Sequence, residues 1–200
     1  MSKFVGREAP DFTALAVMPD GNINSQFNLK QYLNGSSGLI FFYALDFSYL
    51  CPVELTAINN RLDMFFARGI KPVGISVDSH MSHLKLRELP PQAGGTGIIS
   101  FPLVSDISKV VCQGYDMLVN DSVALRGSFL IDRNFVVRYS ATYDFPIGRN
   151  IDEIIRVHDA LTHHNATGEL CPPGWLAGEP AIPANSNGMI DYIQRNKTAI

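Results

Sequence analysis

The feature that most constrains the fold is a short, continuously apolar run, residues 38–43 (Gly-Leu-Ile-Phe-Phe-Tyr), followed by a helical pattern and then a second β-rich run at residues 72–77. Six apolar residues in a row suit a strand buried on both faces. Leu55, Ile58, Leu62, Phe65 and Phe66 then recur at helical spacing, and Gly69 closes that helix. After residues 72–77, Asp78 or Ser79 is placed to cap a further helix that runs to Leu89 and is stopped by Pro90-Pro91. Residues 101–104 give another strand, with Ser105 or Asp106 capping a helix over 107–115. Residues 123–131 and 135–142 form a hairpin across Asp132-Arg133-Asn134. A long helix starts at Asn150, where Asn150 and Glu153 have capping-box spacing, and buries Ile151, Ile154, Ile155 and Leu161. Strands that alternate with helices and end in a hairpin predict an α/β fold, a central mixed sheet covered by helices on both faces.

After His164 the chain becomes rich in Pro, Gly and Asn, so residues 1–165 are expected to form the main domain and residues 166–200 a C-terminal arm. Met189, Ile190 and Ile193 near its end give a small helix one apolar face. With 46% hydrophobic and 18% charged residues, 200 residues suffice for one full core. A net charge of −3 gives no support to nucleic acid or an anionic membrane as partner. The first ten residues lack the apolar centre of a secretory signal, and the longest apolar run, residues 39–45, is too short to span a bilayer. The expected location is cytoplasmic.

Three cysteines, Cys51, Cys112 and Cys171, are too few and too scattered for a disulfide framework. Cys51 stands where the first strand gives way to its helix. Only a thiolate is a good nucleophile, and a helix N-terminus can lower a cysteine pKa from ~8.5 to between about 3.5 and 7.5. Ser48, three residues earlier, can present a hydroxyl beside the sulfur, Pro52 suits a first helical turn, and Glu54 can hold an arginine near it. Glu54 also fills the second position of a would-be Cys-x-x-Cys pair, so any disulfide of Cys51 must use a distant partner. Cys112, beside Val110 and Val111, reads as core. The five histidines, His163-His164 among them, have no metal-binding spacing and read as solvated or interface residues. Gly94-Gly95-Thr96-Gly97 imitates a phosphate loop but lacks its Lys-Ser/Thr ending.

The run Phe42-Tyr43-Ala44-Leu45-Asp46-Phe47-Ser48-Tyr49-Leu50-Cys51-Pro52-Val53-Glu54 resembles the peroxidatic-cysteine motif of the typical two-cysteine peroxiredoxins, in the branch that includes bacterial alkyl hydroperoxide reductase C. Residues 94–97, 101–106, 126–132 (Arg-Gly-Ser-Phe-Leu-Ile-Asp), 146–149 (Pro-Ile-Gly-Arg) and 168–175 (Gly-Glu-Leu-Cys-Pro-Pro-Gly-Trp) resemble that family in the same order. The resemblance implies a thioredoxin-like fold and a thiol peroxidase without metal, haem or flavin. It implies that Cys51 attacks the peroxide and becomes a sulfenic acid, the first rung of cysteine oxidation. Cys171 then resolves it, joining Cys51 of the partner subunit. Ser48 takes the place of a Thr/Ser that hydrogen-bonds the peroxide. Arg126 takes that of the arginine serving thiolate and transition state, Glu54 and Arg149 its supporting pair, and Tyr43 a tyrosine beside the pocket.

Implied partners are hydroperoxides, thioredoxin or a dedicated disulfide reductase as electron donor, and further copies of the chain. The copies form an antiparallel homodimer that assembles to a decamer around residues 43–48. The alternative role is a ring-forming holdase chaperone or a peroxide sensor. The chain departs from the family at Ala44, where a proline is usual, at Leu86, where tryptophan is common, and at Tyr192-Ile193 in place of a Tyr-Phe pair.

Overall fold

The structure, a computed structural model, describes residues 4–196. It divides into two compact units, residues 1–149 and 150–200. In the first unit the strands are β1 (Thr13–Val17), β2 (Ile23–Asn28), β3 (Ser37–Phe42), β4 (Ile70–Ser76), β5 (Leu103–Ser105), β6 (Leu118–Val119), β7 (Val123–Ala124), β8 (Arg126–Ile131) and β9 (Val137–Tyr143). Its helices are α1 (Leu29–Leu33), α2 (Cys51–Asn59), α3 (Leu62–Phe66), α4 (His80–Glu88) and α5 (Val110–Gly114). The second unit holds α6 (Ile151–Thr167) and α7 (Ser186–Arg195).

Seven strands form one mixed sheet in the order β2-β1-β5-β4-β3-β8-β9. β3 lies parallel to β4 and antiparallel to β8, which in turn forms the expected hairpin with β9. Every residue of β3 and of β8 is buried. Successive side chains of a strand point to opposite faces, so full burial means cover on both sides. Ile40 and Phe42 join Val73, Ile75, Tyr115 and Phe129 in one cluster. On the other face Phe41 meets Phe101 edge-on, with ring centroids 5.5 Å apart. Each such side chain contributes about 1.5–3 kcal/mol by leaving water. α3 packs on β4, and α4 on β1 and β5.

The expected helices form with local adjustments. The single helix read across residues 55–66 is two, α2 and α3, broken at Asn60-Arg61; Leu62 and Phe65 remain buried but Phe66 is exposed. Ser79 caps α4 by accepting from the Ser82 N–H, as its position predicts. α5 is shorter than the expected 107–115 helix, and Asp106 closes its first turn by accepting from the Val111 and Cys112 N–H groups at 3.2 and 2.7 Å. Residues 123–124 leave the hairpin strand to pair with β6. Asn150 caps α6 by accepting from the Glu153 N–H, while the Glu153 carboxylate turns to Arg156. The glycine-rich loop owes its composition to packing: a side chain at Gly95 would collide with the Leu89 carbonyl, and Thr96 N–H donates to the Leu86 carbonyl. α7 carries the expected apolar residues, Met189, Ile190 and Ile193, all exposed. Among the described residues no helix is long and apolar enough to cross a membrane.

Candidate active site

Cys51 opens α2 and is completely buried. The first N–H groups of a helix have no partner within it. Here no side chain caps from Leu50, and the Ser48 hydroxyl instead accepts the Cys51 N–H at 3.1 Å. Ser48 and the sulfur-bearing residue are thus brought together as the spacing predicts, with the Ser48 hydroxyl proton still free for another acceptor.

Arg126, the first residue of β8, reaches the sulfur across the sheet. Its Nη1 donates to Cys51 Sγ at 3.3 Å and to Glu54 Oε2 at 2.5 Å, and its Nε donates to the Phe145 carbonyl at 2.9 Å. Glu54, one turn into α2, also accepts from Arg149 Nη1 at 2.7 Å and from the Arg149 N–H at 2.9 Å. Arg149 is itself fixed by Ser128 Oγ and by the carbonyls of Phe42 and Gly127. One buried carboxylate therefore serves two buried guanidinium groups. Burial opposes the charge of Arg126, but the Cys51 sulfur and Glu54 outweigh it and hold its pKa above the ordinary value. For Arg149 burial prevails over Glu54, and the pKa is lowered. A guanidinium at hydrogen-bond distance is placed to meet negative charge on or beside the sulfur.

Tyr43 lies in the loop between β3 and α2, and its hydroxyl is engaged elsewhere: it donates to Asp46 Oδ1 at 2.9 Å and lies 3.4 Å from His83 Nδ1. Burial, then the Asp46 charge, pushes its pKa well up. His83 Nδ1 is 2.9 Å from both Asp46 oxygens, and its Nε2 is 3.2 Å from the Val104 carbonyl oxygen. That buried pair ties the cysteine loop to α4. It corrects the reading of all five histidines as solvated or interface residues, because His83 and His158 are both buried. Asp46 was hidden by its apolar neighbours Leu45 and Phe47, and its partner lies 37 residues away.

Beside Ser48 a largely apolar cleft of about 580 Å³ opens between α2 and residues 91–95. Ala44 is buried at the head of the loop. Cys112 is core, as expected, and burial, then Asp106, pushes its pKa far up. Cys171, in the second unit, is partly buried and its thiol donates to the Ala160 carbonyl at 3.5 Å. All three cysteines are free thiols. Among the described residues no three His, Cys, Asp or Glu side chains are grouped to hold a metal ion.

A mixed sheet that sets an arginine-paired cysteine at a helix start defines a thiol-based enzyme on a thioredoxin-like fold. The AhpC/TSA family profile matches residues 5–140. Alkyl hydroperoxide reductase C of Helicobacter pylori strain J99 is 39% identical over 192 residues, 96% of this chain and 97% of that one. Peroxiredoxin-1 of Gallus gallus is 39% identical over 195 residues, 97% of each chain. The crystal structure of Plasmodium vivax 2-Cys peroxiredoxin in its reduced form superposes with a TM-score of 0.92 at 38% identity, covering 96% of this chain and 99% of that one. The chain belongs to the AhpC/TSA family.

Proposed function

We propose that the chain is a thiol peroxidase that reduces hydrogen peroxide and small organic hydroperoxides, with Cys51 as nucleophile and Cys171 as resolving cysteine. The observation that carries this reading is the Arg126 guanidinium 3.3 Å from Cys51 Sγ at the start of α2. The Cys51 thiolate attacks one peroxide oxygen; the S–O bond forms as the O–O bond breaks, and the departing oxygen takes a proton and leaves as water or alcohol. Ser48 donates its hydroxyl to the bound peroxide. Arg126 holds the thiolate and meets charge on the departing oxygen. Glu54 and Arg149 position Arg126, and Tyr43 supports the loop through Asp46. The Cys171 thiol of the partner subunit then gives up its proton, its sulfur bonds to the Cys51 sulfenic sulfur, and the S–O oxygen leaves as water.

Thioredoxin or a dedicated disulfide reductase returns the two thiols, the working assembly is a dimer that closes into a decamer, and the setting is cytoplasmic. Exposed Leu45, Phe47 and Tyr49 on the loop before Cys51 support an assembly surface there. The relatives' names favour the peroxidase over a holdase or sensor role. The test is single-turnover peroxide consumption by the reduced protein. The parent should react orders of magnitude faster than free cysteine, and Cys51→Ser should not react; a Cys51→Ser protein that keeps full activity would sink the reading. Cys171→Ser should oxidise once at the parent rate and form no covalent dimer.

A further inference from the structure

The end of α6 and the residues after it carry side-chain contacts that the peroxide chemistry leaves unused. His163 Nε2 lies 2.9 Å from Glu169 Oε2, and its ring lies against Trp175 with centroids 4.9 Å apart at 45°. His164 Nδ1 is 2.8 Å from the Glu169 carbonyl oxygen. Arg156, paired with Glu153, donates to the Trp175 carbonyl at 3.4 Å. Trp175 is buried, and its indole N–H donates to the Glu179 carbonyl at 2.9 Å.

These contacts bracket Cys171, with Glu169 two residues before it and Trp175 four after. Leu170 and Ile182 exchange both backbone hydrogen bonds at 2.8 Å, and the Cys171 thiol itself donates to Ala160 on α6. A thiol held in this way must leave its carbonyl before it can bond to another sulfur at ~2.0 Å. The free energy of that local opening sets the fraction of chains whose arm is competent. His163 can donate from Nε2 to the carboxylate whether its ring is neutral or charged.

We propose that His163 is a positioning residue for the resolving step: with Glu169 and Trp175 it clasps the Cys171 segment onto α6 in the reduced protein, and release of the clasp governs how fast the disulfide with Cys51 forms. The proposal rests on Cys171 being the resolving cysteine. The clasp exchanges no electrons or protons with the sulfurs; it sets only the population of the opened arm.

The experiment mixes reduced full-length protein with hydrogen peroxide in a stopped-flow instrument, following Trp175, the one tryptophan of the chain, with non-reducing gels of quenched samples. His163→Ala should leave the peroxide-dependent phase unchanged and speed the peroxide-independent disulfide phase about fivefold, the size expected for one half-exposed ion pair plus a ring contact. Glu169→Gln should speed it less, and both variants should gather less Cys51 sulfinic acid at a given peroxide dose. Reduced His163→Ala should also show altered Trp175 emission. A folded His163→Ala protein whose disulfide phase is unchanged or slower overturns the proposal. If that variant does not fold, Glu169→Gln decides by the same criterion. Cys171→Ser in parallel separates the two layers: a covalent dimer that persists removes the resolving role and the clasp with it, whereas a lost dimer beside an unaffected His163→Ala rate removes the clasp alone.

Discussion

Cys51 and Cys171 occupy opposite kinds of site. Cys51 sits on a helix start beside the central strand, fully buried, with a guanidinium on its sulfur and a second one behind their shared carboxylate. Cys171 sits on an irregular segment, partly buried, its thiol donating to a helix carbonyl. Burial raises its pKa above the ordinary thiol value; Arg156 draws it down and Glu169 adds to the rise. One setting puts a guanidinium on the sulfur and holds it still. The other favours a protonated thiol and holds it by contacts that can be undone one at a time.

The largest expected effect lies with the shared carboxylate. Glu54→Ala leaves two buried arginines without their counter-charge and should lower stability by about 3–5 kcal/mol in urea denaturation. Arg126→Gln should slow single-turnover peroxide consumption about 10²- to 10³-fold, the loss usual for one donor aimed at developing charge, while leaving disulfide formation from a pre-formed sulfenic acid nearly unchanged. Glu169→Ala, at a half-exposed pair, should cost under about 1 kcal/mol in the same denaturation experiment; a loss as large as that of Glu54→Ala would erase the contrast between the two sites. With Cys171 as the proposed resolving cysteine, disulfide formation would need its thiolate, so with a raised pKa the rate should go on climbing past about pH 8.5, the ordinary thiol value, whereas a plateau below that pH would break the contrast. The smallest effect is at Cys112, whose buried thiol should stay unlabelled by maleimide in the native protein.

Much of the fold was legible because its signals are local. The apolar run that becomes β3, the Ser79 and Asn150 caps and the turn at Asp132-Arg133-Asn134 each rest on neighbouring residues. The break between α2 and α3 was not legible, since Leu62 and Phe65 stay in phase with Leu55 and Ile58 across it and periodicity has no term for a chain that turns yet keeps its phase. At the site, Ser48 and Glu54 lie within three residues of Cys51 and could be read from spacing. Arg126 and Arg149 could be placed only by family resemblance, because sheet pairing and a loop deliver them. The tie from Asp46 to His83 and the stack of His163 on Trp175 left no mark in the sequence beyond the residues themselves.

The sharing of Glu54 has a consequence for electroneutrality. The four side chains, two guanidinium groups, one carboxylate and one sulfur, balance to zero only while the sulfur carries a negative charge. A sulfenic acid is neutral, so oxidation of Cys51 in the proposed reaction would leave the buried quartet one positive charge in excess, in a setting where an unmatched charge is costly. In the proposed reaction each turnover would therefore carry the buried quartet away from neutrality, and returning the sulfur to the reduced state would restore it.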